Sequence, residues 1–166
     1  IYTVRKATKG LANYLRKTDR PMQVAIAYDS RRYSDVFAKE TACVLAANGI
    51  AAWLYPRLQP TPALSWAVRY LKCDAGICIT ASHNPKEYNG YKVYGPDGGQ
   101  LVPRDANVLS RDVENISDLA HIPCTGSKEL LTRLGQDTVD LFIEEIYKQS
   151  TLKGNVGNLK IVYTPI

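Results

Sequence analysis

The chain has 166 residues, which suits one domain, since domains commonly hold about 100–200 residues. Hydrophobic residues make up 45% of it, enough for a true core, yet no stretch reaches the ~18 consecutive apolar residues of a membrane span. The net charge of +5 is dispersed among interleaved acids and bases. Without a basic stripe this argues against a nucleic-acid surface and leaves an anionic substrate, or an acidic partner segment elsewhere, as its meaning.

No secretory signal is visible, and the chain opens on Ile1 with a helical pattern already under way, so it is expected to be a piece of a longer chain. Cys43, Cys73, Cys78 and Cys124 form no paired framework, which points to a reducing compartment, the cytoplasm. Cys73 and Cys78 have the wrong spacing for half a zinc site, and only two histidines exist to complete one.

Val4, Ala7, Leu11, Tyr14 and Leu15 recur at helical spacing and predict a helix over 3–17 with Thr3 as its N-cap. Asp19, Arg20 and Pro21 break it. Gln23–Tyr28 is a short apolar run, the pattern of a strand buried on both faces, and Asp29-Ser30-Arg31-Arg32 follows at its carboxyl end. A second helix is predicted from Ser34 to Asn48, stopped by Asn48-Gly49. Ile50–Tyr55 reads as a second strand. Thr61 is expected to cap a third helix, with Pro62 in its first turn, running to Lys72. Ala75–Thr80 is the third strand. Strands alternating with helices across short links indicate a parallel sheet with helical crossovers.

Tyr91–Tyr94 reads as another strand, and Gly95-Pro96-Asp97-Gly98-Gly99 as a turn from which Gln100-Leu101 pairs back, so the sheet is mixed. A helix is predicted over 104–116. Ser117–Gly135 has no clear pattern. In 137–149, Val139, Phe142, Ile143, Ile146 and Tyr147 fall on one helical face. Residues 153–158 are polar and hold two glycines, as a linker does, and Leu159–Thr164 reads as the first strand of a following domain.

The stretch from Ile77 to Tyr94 concentrates the chemistry. A buried strand gives way to Ser82-His83-Asn84 at its carboxyl end, where open α/β sheets bind ligands. A serine hydrolase does not fit. Adjacent residues of an extended chain face opposite ways, so His83 is badly placed as a base for Ser82, and no glycine-flanked serine elbow exists. Phosphate handling fits better. Ser82 offers a hydroxyl, while Asn84, Asn89 and Gly90 allow tight turns that aim backbone N–H groups at an anion. His83 and Lys92 add donors, and Arg31 leaves the end of another predicted parallel strand toward the same crevice. A phosphoserine would need such cations, or a metal. From spacing alone the bland reading stays open: serine and asparagine are ordinary turn formers, and Lys92 could be a solvated strand residue.

The run Thr80-Ala81-Ser82-His83-Asn84-Pro85, followed by Asn89-Gly90-Tyr91-Lys92, resembles the active-serine loop of the α-D-phosphohexomutases, the phosphoglucomutase and phosphomannomutase superfamily. Asp29-Ser30-Arg31 resembles that family's first-domain arginine motif, Pro60-Thr61-Pro62 its loop before a helix, and Leu159–Pro165 the opening strand of its second domain. The wording of 88–99 is most similar to the longer bacterial phosphoglucomutases and their phosphopentomutase relatives. The resemblance covers nearly the whole chain. It implies an α/β fold with α/β/α layers and a mixed, mostly parallel sheet of four strands. Residues 1–152 would be domain I without its N-terminal strand and loop, 153–158 a linker, and 159–166 the first strand of domain II.

The resemblance further implies an isomerase that interconverts glucose 1-phosphate and glucose 6-phosphate. Ser82 would carry the phosphoryl group, passing it to a hexose phosphate through a sugar 1,6-bisphosphate. Lys92 and Arg31 would assist proton transfer and charge stabilisation, and His83 would polarise the phosphoserine environment. Thr80, Asn84, Asn89 and Gly90 would shape the phosphate loop. Mg²⁺ would bind an oxygen of the Ser82 phosphate, and glucose 1,6-bisphosphate would act as activator. The implied partners are the hexose phosphate and domains II–IV, with neither nucleic acid nor membrane. The family's metal loop, sugar-reading loop and distal phosphate loop are not in these residues. The isolated 166 residues are therefore expected neither to turn over substrate nor to hold Mg²⁺ tightly. Phosphomannomutase, phosphopentomutase or sugar-bisphosphate synthase activity would fit the same motifs. A rival of another class is a non-catalytic sugar-phosphate or nucleic-acid binding module, whose mark would be a steep loss of oligonucleotide affinity with salt.

Overall fold

The computed structural model describes residues 1–17, 22–126, 128–151, 154 and 157–164. In chain order these form α1 (Tyr2–Leu15), β1 (Gln23–Tyr28), α2 (Ser34–Ala47), β2 (Ala51–Leu54), α3 (Thr61–Tyr70), β3 (Ala75–Ile79), β4 (Tyr91–Tyr94) and α4 (Pro103–Glu114). A short 3₁₀ turn (Lys128–Leu130) then leads into β5 (Leu131–Arg133) and α5 (Gln136–Lys148). The five strands make one sheet in the order β4-β3-β1-β2-β5. β1 pairs in parallel with both β2 and β3, β5 runs parallel to β2, and only β4 is antiparallel, against β3.

The two faces of β1 build two cores. Val24, Ile26 and Tyr28 face α1, α2 and α4 together with Ile77 and Ile79 of β3. Ala25, Ala27 and Cys78 face α3, where Leu64, Ala67 and Val68 cover them. Helices on both sides of the sheet make three layers, and burial on both sides explains why β1 and β3 are nearly unbroken apolar runs. The α3 side is lined by small residues, so that helix lies close. A Cβ at Gly76 would meet Val68 Cγ2 at 2.5 Å.

Most boundaries agree with the sequence reading within two residues, but the caps do not. Ile1, not Thr3, precedes α1, and Pro60, not Thr61, precedes α3. Neither helix has a side-chain cap; the Thr61 hydroxyl instead lies 3.8 Å from Cys78 Sγ. At the end of α2, Gly49 takes φ 75° while Ile50 N donates back to Leu45 O, the left-handed stop expected of Asn48-Gly49.

The sheet has a fifth strand where four were expected. β5 is three residues long and lies in the segment that showed no pattern. It exists because its edge pairs with β2 at Ala52, Trp53 and Leu54. On α5 only part of the apolar face is covered. Val139 and Phe142 pack on the α3 core, while Ile143, Ile146 and Tyr147 are exposed. Leu159–Thr164, expected as a strand, is irregular and exposed, since no ladder partner faces it among the described residues. The expected break at Asp19-Arg20-Pro21, part of the 153–158 linker and the end of the last expected strand at Pro165 lie outside the described residues.

Candidate active site

Because β1 links onward to β2 on one side of the sheet, and β3 lies on its other side, strand order reverses beyond the carboxyl ends of β1 and β3. Crevices form at such points. Both predicted loops emerge there. Tyr28 and Ile79 are cross-strand partners, and Asp29 N donates to Ile79 O at 3.1 Å. The arginine loop after β1 and the serine loop after β3 therefore start side by side. Between them lies an open cavity of about 780 Å³ lined by Asp29, Ser30, Arg31, Arg32, Ser82, Asn84, Lys86 and Glu87.

Ser82 sits at the mouth of this cavity with φ 53°, in the left-handed region. That conformation costs a residue with a Cβ about 1–2 kcal/mol and persists where neighbours over-determine it. The neighbours here are specific. Ser82 N donates to Thr80 Oγ1 (3.1 Å), Asn84 N donates to Ala81 O (3.0 Å), and Lys92 Nζ donates to Ser82 Oγ at 2.5 Å. Lys92 reaches Ser82 because β4 is antiparallel and its register places Lys92 opposite Cys78, on the α3 side of the sheet. Its neighbours Tyr91 and Val93 pack into the other core. Lys92 is thus not a solvated strand residue.

A second set of bonds ties the two loops together. Asp29 Oδ1 accepts from Arg31 N (2.9 Å) and Ser34 Oγ (2.8 Å), and Asn89 Nδ2 donates to Ser34 Oγ (2.9 Å) and to Arg32 O (3.3 Å). Asn89 Oδ1 accepts from Gly90 N, and Gly90 O accepts from Thr80 N at 3.0 Å. The guanidinium of Arg31 points at the backbone of the serine loop, where it meets four carbonyl oxygens.

All eight residues predicted for the site occupy these two loops and the start of β4. Ser82, Lys92, Thr80, Asn89 and Gly90 are joined directly or through one partner, and Asn84 forms the turn beside them. His83 is exposed, and its ring has no hydrogen-bond partner among the described residues. Asp29 and Ser34 were not predicted as site residues, though they brace the loop. The signal for Asp29 was its two-residue spacing to Arg31, which suits an Asx turn. Ser34 looked only like a helix-start residue.

Gly90 has no room for a side chain, because a Cβ there would lie 2.5 Å from Thr80 O. That oxygen belongs to backbone already bonded to Gly90, so it cannot retreat alone. Gly90→Ala is expected to destabilise the fold by about 1–3 kcal/mol, as overpacking does, and to displace Ser82. Chemical denaturation of the variant checks this; a stability equal to wild type would show that the loop yields freely.

No group of three metal-binding side chains occurs among the described residues. Asp29 is engaged with Arg31 and Ser34, so an oxygen attached to Ser82 and the Glu87 carboxylate at the cavity wall are what these loops offer to Mg²⁺, fewer oxygens than its octahedral shell takes. The four thiols are unpaired. Burial pushes the Cys73 thiol up to about 12 and raises Cys78 as well, which suits core residues rather than zinc-binding thiolates.

Residues 1–120 match the family model described as phosphoglucomutase/phosphomannomutase, alpha/beta/alpha domain I. The chain belongs to this family. A phosphoglucomutase of Staphylococcus haemolyticus is 37% identical over 171 residues, covering 99% of this chain and 31% of the relative. A probable phosphomannomutase of Haemophilus influenzae is 38% identical over 166 residues, covering 97% of this chain and 33% of the relative. A crystal structure of a phosphoglucomutase/phosphomannomutase family protein from Burkholderia thailandensis has the same fold, with a TM-score of 0.68 at 22% identity over 88% of this chain and 31% of that one. The chain spans about a third of the length of these curated relatives.

Proposed function

We propose that this phosphohexomutase-family chain supplies the phosphoryl-carrying serine of an enzyme interconverting glucose 1-phosphate and glucose 6-phosphate. The observation that carries the reading is the Lys92 Nζ–Ser82 Oγ hydrogen bond at the switch point of the sheet. Phospho-Ser82 donates its phosphoryl group to a free hydroxyl of the sugar phosphate. The P–Oγ bond breaks and a bond from phosphorus to the sugar oxygen forms, giving a sugar 1,6-bisphosphate. Lys92 gives a proton to Ser82 Oγ and recovers one from the sugar hydroxyl. After the bisphosphate turns over, the steps reverse at the other phosphate. Ser82 Oγ is rephosphorylated, and its proton passes through Lys92 to the sugar oxygen. Positioning and electrostatics supply most of such catalysis.

Asp29 and Arg31 offset each other at the cavity wall, so Arg32, Lys86 and Lys92 outweigh Glu87 around Ser82, which favours an anionic substrate. His83, beside Ser82, adds a donor toward the same space. Mg²⁺ on a Ser82 phosphate oxygen would offset further charge, with its other ligands supplied from outside these residues. Glucose 1,6-bisphosphate would prime the serine. Residues 1–152 serve as the first domain, 153–158 as a linker and 159–166 as the start of the next, which the greater length of the relatives and the exposed run Leu159–Tyr163 support. No described helix is long and apolar enough to cross a membrane, and the four free thiols suit the cytoplasm.

The relatives named phosphomannomutase keep mannose phosphates as a second substrate class. The test is phosphate mapping on the whole protein after incubation with glucose 1,6-bisphosphate, followed by turnover of glucose, mannose and pentose 1-phosphates. Phosphate is expected on Ser82, with the glucose ester turned over fastest. Phosphate elsewhere in an active enzyme would refute the carrier role.

A further inference from the structure

We infer that Arg31 is a positioning residue that holds Ser82 in its working conformation by clamping the serine loop, rather than a contact to the sugar phosphate. Arginine has five N–H donors in a rigid plane and no acceptor. Here all four Nη donors have a partner, and the fifth, on Nε, faces a carboxylate. Nη1 donates to Pro85 O (2.8 Å) and Tyr88 O (2.9 Å), and Nη2 donates to Ser82 O (2.8 Å) and Asn84 O (2.5 Å). Nε lies 3.4 Å from Asp29 Oδ2, and the side chain is only 14% exposed. A guanidinium committed in this way has no Nη donor left for a substrate phosphate, and its Nε is turned to Asp29.

The clamp has a geometric consequence. There are no cis peptides among the described residues, so the carbonyl of one residue and the N–H of the next point in opposite directions. Drawing the carbonyls of Ser82 and Pro85 toward Arg31 turns the amides of His83 and Lys86 away from it. Neither amide has a partner among the described residues. The same pull on Ser82 O holds the left-handed backbone that Ser82 adopts, and so fixes where Oγ meets Lys92. The aspartate in turn orients the arginine: its Oδ1 accepts from the Arg31 backbone N–H, and its Oδ2 is ion-paired with Nε.

This inference rests on the phosphoserine reading only for its kinetic consequence. Lysine carries the same charge but a single compact ammonium, which cannot bridge four carbonyls. In the whole protein, Arg31→Lys is expected to lower kcat about 100-fold, as small misplacements of reacting groups do, while KM for the sugar phosphate stays within about threefold. Hydrogen exchange of the unphosphorylated protein should quicken about tenfold or more across 82–88 and stay unchanged in Gln23–Tyr28 and Ala75–Ile79. A KM about tenfold higher with unchanged loop exchange would overturn the inference and make Arg31 a substrate contact. Loss of protection throughout the sheet would also overturn it, making Arg31 a residue of the fold. Exchange needs no phosphate, so the two readings fail separately. If wild-type Ser82 takes no phosphate, the carrier role falls; quickened exchange over 82–88 in Arg31→Lys still supports the clamp, and unchanged exchange removes it.

Discussion

Ser82→Ala is expected to abolish phosphoryl loading while leaving the fold intact. The serine is exposed at the end of β3, and its hydroxyl bonds to Lys92 alone among the described residues. Removing it opens no cavity. Alanine keeps the Cβ, so the left-handed backbone costs the same before and after the change. An exposed substitution of this kind alters stability by no more than about 0.5 kcal/mol. The chemistry has no ready substitute: Thr80, whose hydroxyl accepts from Ser82 N, and Thr61 do not line the cavity between the two loops, and Ser30, which does, is not the hydroxyl to which Lys92 Nζ donates. Intact mass after incubation with glucose 1,6-bisphosphate reads the result directly. Wild type should gain one phosphoryl group and the variant none, and turnover should fall to background. Turnover equal to wild type would end the carrier role and return the loop to a plain turn.

The parts of this site differed in how legible they were, for physical reasons. Ser82 stood out because β3 is buried on both faces and then stops abruptly in polar, turn-forming residues. The position of Arg31 at the same crevice followed from its place after a second parallel strand. Its partners could not be read, because they lie 51–57 residues away and are main-chain oxygens, which leave no mark on residue type. Lys92 was ambiguous for a related reason. Alternation separated it from Tyr91 and Val93, but only antiparallel pairing with β3 decides what lies on its side. β5 shows the same limit in the fold: three residues carry no periodicity, and pairing with β2 alone makes them a strand. On α5 the period identified an apolar face correctly and said nothing about cover, so Phe142 is packed while Tyr147 is 74% exposed. Local pattern records what a segment can bury; register and partner choice are properties of the assembled sheet.

Register also determines what Lys92→Ala should do. The variant is expected to lose about 10²–10³ in turnover, the usual range for removing one preorganised stabiliser of developing charge. Lys92 Nζ touches Ser82 Oγ, the atom that carries charge whenever the phosphoryl group leaves or returns. Both half-reactions pass through that atom, so loading from glucose 1,6-bisphosphate and steady-state turnover should fall together. KM should change little, because the contact is to the serine rather than to the sugar. Stability should hold, since the half-buried side chain sits at the edge strand β4, while its neighbours Tyr91 and Val93 pack against the core. Arginine is a poor replacement. Its planar fork is larger than an ammonium and cannot take the same close, end-on position at Oγ, so Lys92→Arg should recover little of the loss. Single-turnover loading and steady-state kinetics on the same preparations measure both effects. A loss of less than about tenfold would place Lys92 with Asn89 and Gly90 as a residue that shapes the loop, and the proton would then need another carrier. His83, exposed beside Ser82, would be the first group to replace in that case.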